Sequence, residues 1–395
     1  MNYYLAKLFI IILFLSILIC KPSISQTHEF IVKRVLDSNT IILDNDKVVK
    51  YIVNQESHHK IKTFINISTF SRMMKSMVDL DRIVHEIRNY EGVKRKNPIK
   101  HLINQFKSYS NYGSTVIDFG DDAAVLKGDC NYLLFAADGI WANLLNDLFW
   151  AGYCSVLVNV NDIYAMGGTP IAMVNIMSLK KSDNCKDLLE GIKTGCDKFK
   201  VPMVGGHLHP YTESTTVSVS IMGNATKILS SFAAKNGEDI ILAMDMDGRR
   251  YNNFLNWDTT LKKSSEECLS KLKVMNEIAE KELSFAAKDI SNPGILGTIG
   301  MLLETSRKGA TIHIDEIQRP ENLDFIDWLK IYPGYGFTLT SAPENTDQIL
   351  NLFKKQKVEA RVIGKVTDDN VMSLISDNQK KTLFDFKTDI ITGIK

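Results

Sequence analysis

Three stretches between Val116 and Pro170 each end or turn on an aspartate, and nothing else in the chain restricts its fold as tightly. The apolar run at residues 115–117 reads as a strand that stops at Asp118, and Gly120, Asp121, Asp122 and two alanines follow directly. A second apolar run, residues 132–137, ends in Asp138. A helix-period segment over residues 155–166 carries Asp162 before Gly167, Gly168 and Pro170 stop it. Taken singly, each aspartate is a turn former or a helix cap. Taken together, they bring carboxylates to the ends of neighbouring elements, where mutual repulsion and desolvation favour a bound cation. Oxygen ligands select magnesium or calcium over softer metals. Magnesium held by a few carboxylates, with water and phosphate oxygens completing its shell, grips ATP without a phosphate-cradling loop. On this reading Asp121, Asp122, Asp138 and Asp162 are the metal ligands.

Other functional classes are excluded by what is missing. The chain has no GxxxxGK[ST] loop, and its DFG at Asp118 lacks the partners and spacing of a protein kinase. A net charge of +1 gives no bulk attraction to nucleic acid, and 395 residues leave room for two domains with real cores. Five cysteines follow residue 26, an odd number without a CxxC pair, which fits reduced thiols rather than a disulfide framework.

Taken in order, residues 1–26 read as a secretory signal, with Lys7 ahead of a short apolar run and Ser23-Ile24-Ser25 after it. The run is too short for a stable membrane span. Residues 27–70 form a short β-rich segment whose start resembles the opening hairpin of a staphylococcal-nuclease-like domain, with Asn39 where that family usually has a second acid. Residues 71–111 are a helical arm: Val78, Leu80, Ile83, Val84 and Ile87 share one face, Gly92 ends it, and Lys94, Arg95 and Lys96 precede a second helix. By default such a basic run is a solvated loop. Residues 112–229 alternate strands and helices as a first domain, residues 230–237 read as a linker, and residues 236–395 form a second α/β domain. A short apolar run at residues 201–204 delivers Gly205, Gly206 and His207, where two glycines let backbone N–H groups approach an anion. His207 and His209 alone do not make a zinc site, which needs more ligands.

The blocks DFGDDAAVL, ADGI, NVNDIYAMGGTP, VGGHLHP and AKDISNPG, in this order, resemble the signatures of the superfamily of AIR synthase, thiamine-monophosphate kinase, selenophosphate synthetase and a hydrogenase-maturation protein. The GGHLHP form behind a basic helical segment is most similar to the AIR synthase-related branch that includes the methanogenesis marker 2 type. The resemblance covers residues 76–395. It implies a two-domain α/β (α+β) fold, an N-terminal mixed sheet with helices plus a C-terminal α/β domain. It also implies Mg2+ and ATP as cofactors, a small-molecule substrate, and a homodimer that pairs first-domain sheets with ATP near the interface.

By the same resemblance Gly120, Gly205 and Gly206 lie against the nucleotide, Lys94, Arg95 and Lys96 fold over it, and His207 and Asp289 are catalytic. The kinase motif DxSDG survives here as Asp289 and Ser291, with Asn292 and Pro293 in place of its second acid and glycine. Selenophosphate synthetase has His where His207 stands, but its cysteine ahead of the DD block has no counterpart between Cys20 and Cys130. The expected activity is phosphoryl transfer to, or ATP activation of, a small metabolite; the alternative is a degenerate nucleotide-binding sensor. Use of ATP implies a cytoplasmic setting, in conflict with the signal-like start.

Overall fold

The computed structural model describes residues 79–180, 185–377 and 379–394, together with the backbone of three strands nearer the N-terminus. Those strands, β1 (Val32–Asp37), β2 (Thr40–Leu43) and β3 (Val48–Lys50), pair antiparallel in that order. They belong to a unit comprising Met1–Lys75, and the second unit comprises Ser76–Lys395. The signal-like segment, residues 1–26, lies outside the described residues. Among the described residues no helix is long and apolar enough to cross a membrane.

The second unit opens with helices α1 (Leu80–Arg88), α2 (Glu91–Lys94) and α3 (Ile99–Phe106). Asp79 caps α1 by accepting the Arg82 N–H, and Leu80, Ile83 and Ile87 form the buried stripe that the sequence period predicts. There follow β4 (Thr115–Ile117), β5 (Ala124–Lys127), β6 (Tyr132–Gly139), α4 (Leu148–Ala165), β7 (Thr169–Lys180), α5 (Cys185–Phe199), β8 (Met203–Thr212) and β9 (Thr216–Ala225). The strands form one mixed sheet in the order β4-β5-β6-β9-β7-β8, in which β7 and β8 run parallel. Helices α4 and α5 cover one face of it. They approach closely because glycines face backbone: a methyl on Gly152 would strike the Leu188 carbonyl, and one on Gly191 the Phe149 carbonyl.

The chain then builds β10 (Asp239–Met244), a small hairpin of β11 (Arg249–Arg250) and β12 (Trp257–Asp258), α6 (Ser265–Glu280), β13 (Ala286–Asp289), α7 (Gly294–Ser306), β14 (Gly309–His313), α8 (Phe325–Leu329), β15 (Gly336–Ser341), α9 (Pro343–Lys355), β16 (Glu359–Thr367), β17 (Val371–Ser376) and β18 (Gln379–Asp385). Its seven-stranded sheet has the order β13-β15-β10-β16-β14-β17-β18, and only β14 and β17 pair parallel. One apolar core joins Val160 and Ile163 of α4 to Met275 and Ile278 of α6 and to Phe337 and Leu339 of β15. A second core packs Ile83 and Ile87 of α1 and Ile295 and Ile299 of α7 on the other side of that sheet.

The fold class is therefore the mixed, two-sheet α/β arrangement expected. Element bounds differ where the sequence shows no clear period. α4 begins at Leu148 rather than residue 155, because it is buried on nearly every side and shows no polar stripe. β8 runs on through the GGHLHP block to Thr212. At the C-terminus the buried carboxylate of Glu304 accepts the N–H groups of Ile391 (3.1 Å), Thr392 (2.8 Å) and Gly393 (3.2 Å). The tail so anchored holds the arm, since Arg88 pairs with Asp389 at 2.6 Å.

Candidate functional site

The loop after β4 brings two adjacent carboxylates to different tasks. Gly120 has φ of +117°, and a side chain there would meet Phe232 at 2.9 Å and Ile394 at 2.7 Å, so only glycine lets the loop fold down. Asp121 turns toward the segment after β9. Its Oδ2 accepts the Ser230 hydroxyl (2.6 Å) and the Ser231 N–H (2.9 Å), and its Oδ1 accepts the Asp122 N–H (3.0 Å). Both oxygens thus accept hydrogen bonds within the protein, and Asp121, expected from the sequence as a metal ligand, is not among the three acids whose oxygens converge. Asp122 points the other way, to an ion pair with Lys288 and to the Asp289 N–H at 3.4 Å.

Asp122, Asp162 from the last turn of α4 and Asp289 from the end of β13 each offer a carboxylate oxygen, and these oxygens lie within 4.8 Å of one another. Burial pushes the Asp162 and Asp289 carboxyls well above the usual range, and the facing carboxylates push them further. Burial also raises Asp121, to about 6, against the pull of Lys288. Burial alone would lower the Lys288 ammonium, but Asp122 and Asp121 more than reverse this and leave it raised. A fixed positive charge thus sits within a group of acids that outnumbers it.

Asp138, at the end of β6, is exposed as a residue, but desolvation of its carboxyl by the surrounding protein raises it, with Asp122 adding to the shift; Lys96 is the main cation acting against it, and Arg95 also contributes. The three basic residues of the arm separate. Lys96 acts on both Asp138 and Asp289, Arg95 lies 5.1 Å above the Trp141 ring, and Lys94 donates to Asn89 Oδ1 at 2.9 Å.

Strand register locates the rest. Asp138, Val219, Asn175 and Gly206 form one row across β6, β9, β7 and β8, so Gly206 stands about 14 Å from Asp138, three strand spacings away. His207 pairs with Ile176, whose side chain faces away from the helices, and its ring lies 4.5 Å from that of His209. Gly205, Gly206 and His207 are therefore on the open edge strand and apart from the acids.

Sequence reasoning missed Lys288, Ser230 and Ser231. The signal for Lys288 was present: a lysine inside an apolar strand, next to Asp289, needs a buried carboxylate partner. The serines lay in what reads as a linker.

Residues 120–225 match the family model described as AIR synthase related protein, N-terminal domain, and residues 239–377 the corresponding C-terminal domain. The uncharacterized protein MJ0640 of Methanocaldococcus jannaschii is 46% identical over 323 residues, covering 80% of this chain and all of that protein. Thermotoga maritima PurL complexed with ADP aligns with a TM-score of 0.60 at 18% identity, over 71% of this chain and 47% of PurL, so the chain spans about half of PurL's length. AaThiL complexed with AMPPCP and TMP aligns with a TM-score of 0.55 at 16% identity, over 72% of this chain and 96% of AaThiL. Both structural matches speak for the fold, while the two domain matches and the relative from M. jannaschii decide membership: the chain belongs to the AIR synthase related protein family, a superfamily whose members include ATP-using enzymes.

Proposed function

We propose that the chain binds Mg-ATP at the acid cluster and uses it to phosphorylate, or activate by phosphorylation, a small metabolite. The observation that carries this reading is that, among the described residues, the buried carboxylates Asp122, Asp162 and Asp289 outnumber the lysine paired with them, Lys288. Such an excess in a low-dielectric setting is costly without a further cation, so the residues fit a magnesium ion. Asp122, Asp162 and Asp289 would hold it, and when bound it neutralises charge on phosphate oxygens.

The chain's own residues supply positioning. Lys288 fixes the orientation of Asp122, while Ser230 and Ser231 hold Asp121 and with it the loop. Lys96 is the arm cation placed to counter phosphate charge. Relatives support the nucleotide: a thiamine-monophosphate kinase of Buchnera aphidicola is 26% identical over 291 residues, and AaThiL is complexed with AMPPCP. Consumption of ATP fits a cytoplasmic setting. His207 faces the other side of the sheet, and we assign it to a dimer surface there, where Phe135 and Ile176 are 52% and 55% exposed.

The test is the thermal shift of the full chain with Mg-ATP, with ATP in EDTA, and for Asp162→Asn. A ligand at about a hundredfold over Kd stabilises by roughly 2.7 kcal/mol. The expected result is a shift that needs magnesium and is lost in the variant; no shift with Mg-ATP would overturn the reading. Asn292, standing where the kinase motif has an acid, favours a second reading, nucleotide binding without turnover. ADP release over a panel of small metabolites separates the two.

A further inference from the structure

Next to the acid cluster, three segments meet so closely that glycine is required at each junction. A methyl on Gly92, in α2, would strike the Asn292 carbonyl, and one on Gly294, at φ of +72°, the Leu329 carbonyl. The arm, the loop after β13 and residues 329–332 thus form one wall, and Trp141, three residues beyond Asp138, carries Arg95 on its ring.

Among the described residues, two buried polar groups in this wall are without partners. Tyr332 is 7% exposed and its hydroxyl makes no hydrogen bond. Buried tyrosines elsewhere in the unit behave differently: the Tyr153 hydroxyl donates to Thr260 at 2.7 Å and that of Tyr335 to the Lys271 carbonyl at 2.8 Å. The second is the buried amide oxygen of Asn292. Arg95 completes the set: it is exposed, and among the described residues it makes no ion pair. Burial raises the Tyr332 phenol, so the hydroxyl stays protonated and is available as a donor; the charges of Arg95 and Asp138 both reach it.

We propose that Arg95, Tyr332 and Asn292 form the acceptor subsite, which holds an oxyanion, carboxylate or phosphate, of the small molecule that receives the phosphoryl group. This rests on the reading of the acid cluster as the nucleotide site. Guanidinium and phenol both donate, which selects an oxyanion. The Asn292 oxygen accepts, which selects a ligand with a hydroxyl or amino group near that oxyanion. Specificity follows from the same groups, because a ligand lacking either feature leaves a buried polar atom unpaired.

Calorimetric titration of the full chain, saturated with Mg-AMPPCP, tests this with two probes, inorganic phosphate and glycolate. At least one probe is expected to bind, with affinity reduced tenfold or more in Tyr332→Phe and in Arg95→Gln. Preference for phosphate marks a phosphate ester, and preference for glycolate a hydroxy acid. Tyr332→Phe removes a hydroxyl without a partner, so its melting temperature in the absence of ligand should not fall, which separates lost binding from lost folding. Probe binding that is absent, or equal in wild type and both variants, while Mg-AMPPCP binds normally, overturns the subsite alone. Failure of Mg-AMPPCP itself to bind removes the nucleotide reading and the subsite with it.

Discussion

Lys288 and Asp122 make the acid cluster possible, and each is costly without the other. Both side chains are about 6% exposed, and their ion pair joins β13 to the loop after β4. Replacing a buried ion pair by apolar groups is often tolerated, but removing one member leaves the other charge buried and unpaired, at a cost of about 3–5 kcal/mol. Lys288→Met should therefore lower the stability in urea by that amount, read as a lower midpoint with unchanged slope. A loss below about 1 kcal/mol would mean that Asp122 takes up a proton or finds another partner. At this scale the sequence was partly legible. Aspartates at strand and helix ends announced themselves, because carboxylates gathered there without matching cations repel one another and call for a bound cation. Asp121 and Asp122, however, are the same residue type at neighbouring positions, and only the fold decides that one turns to Ser230 and the other to Lys288. Lys288 could be read only from its setting, an apolar strand beside Asp289, which calls for a buried carboxylate partner.

The element that positions most of this chemistry is α4, which delivers Asp162 while packed against α5, α6 and the first sheet. Its 18 residues are buried almost throughout, so its first two turns gave no helical period to read. α1, by contrast, is wet on one side, and its stripe of Leu80, Ile83 and Ile87 was visible in advance. β8 lacks a period for the opposite reason: it is exposed almost throughout, and glycines and histidines interrupt any alternation although the strand runs on to Thr212. The approach of α4 to α5 depends on Gly191, whose added methyl would meet the backbone carbonyl of Phe149 and not a side chain that can swing aside. Gly191→Ala gains helix propensity of up to about 1 kcal/mol, but forcing two helices apart in a packed core costs about 1–3 kcal/mol. The net expectation is destabilisation, measured by calorimetry, together with weaker Mg-dependent nucleotide binding as Asp162 is displaced. A variant as stable as wild type would show that the helices separate without cost.

At the scale of the whole molecule, the outer face of the first sheet stands out as an exposed apolar surface. Along β7, Met173, Asn175 and Met177 turn to the helices while Ile171, Val174 and Ile176 turn out, and Met222 of β9 and Phe135 of β6 extend the same exposed apolar surface. A sheet with one face in water normally alternates apolar with polar residues, and contiguous apolar patches mark interaction sites. Among the described residues β8 adds an unpaired edge beside it, a feature that proteins seldom leave open. A second copy of the chain, pairing sheet to sheet, would cover both. Ile176→Glu places a charge in the middle of that surface without touching the helix side, so it should weaken dimerisation by at least tenfold in sedimentation velocity, at about 1.4 kcal/mol per tenfold, with little change in melting temperature. A wild-type chain that sediments as a monomer would remove the dimer from the reading. The same variant separates two kinds of site. Asp122, Asp162, Asp289 and Lys288 all come from one chain, so a monomeric Ile176→Glu protein should keep its magnesium-dependent shift with ATP. If that shift disappears on dissociation, a group from the second copy completes the nucleotide site, and the edge strand carrying Gly205, Gly206 and His207 is the first place to look for it.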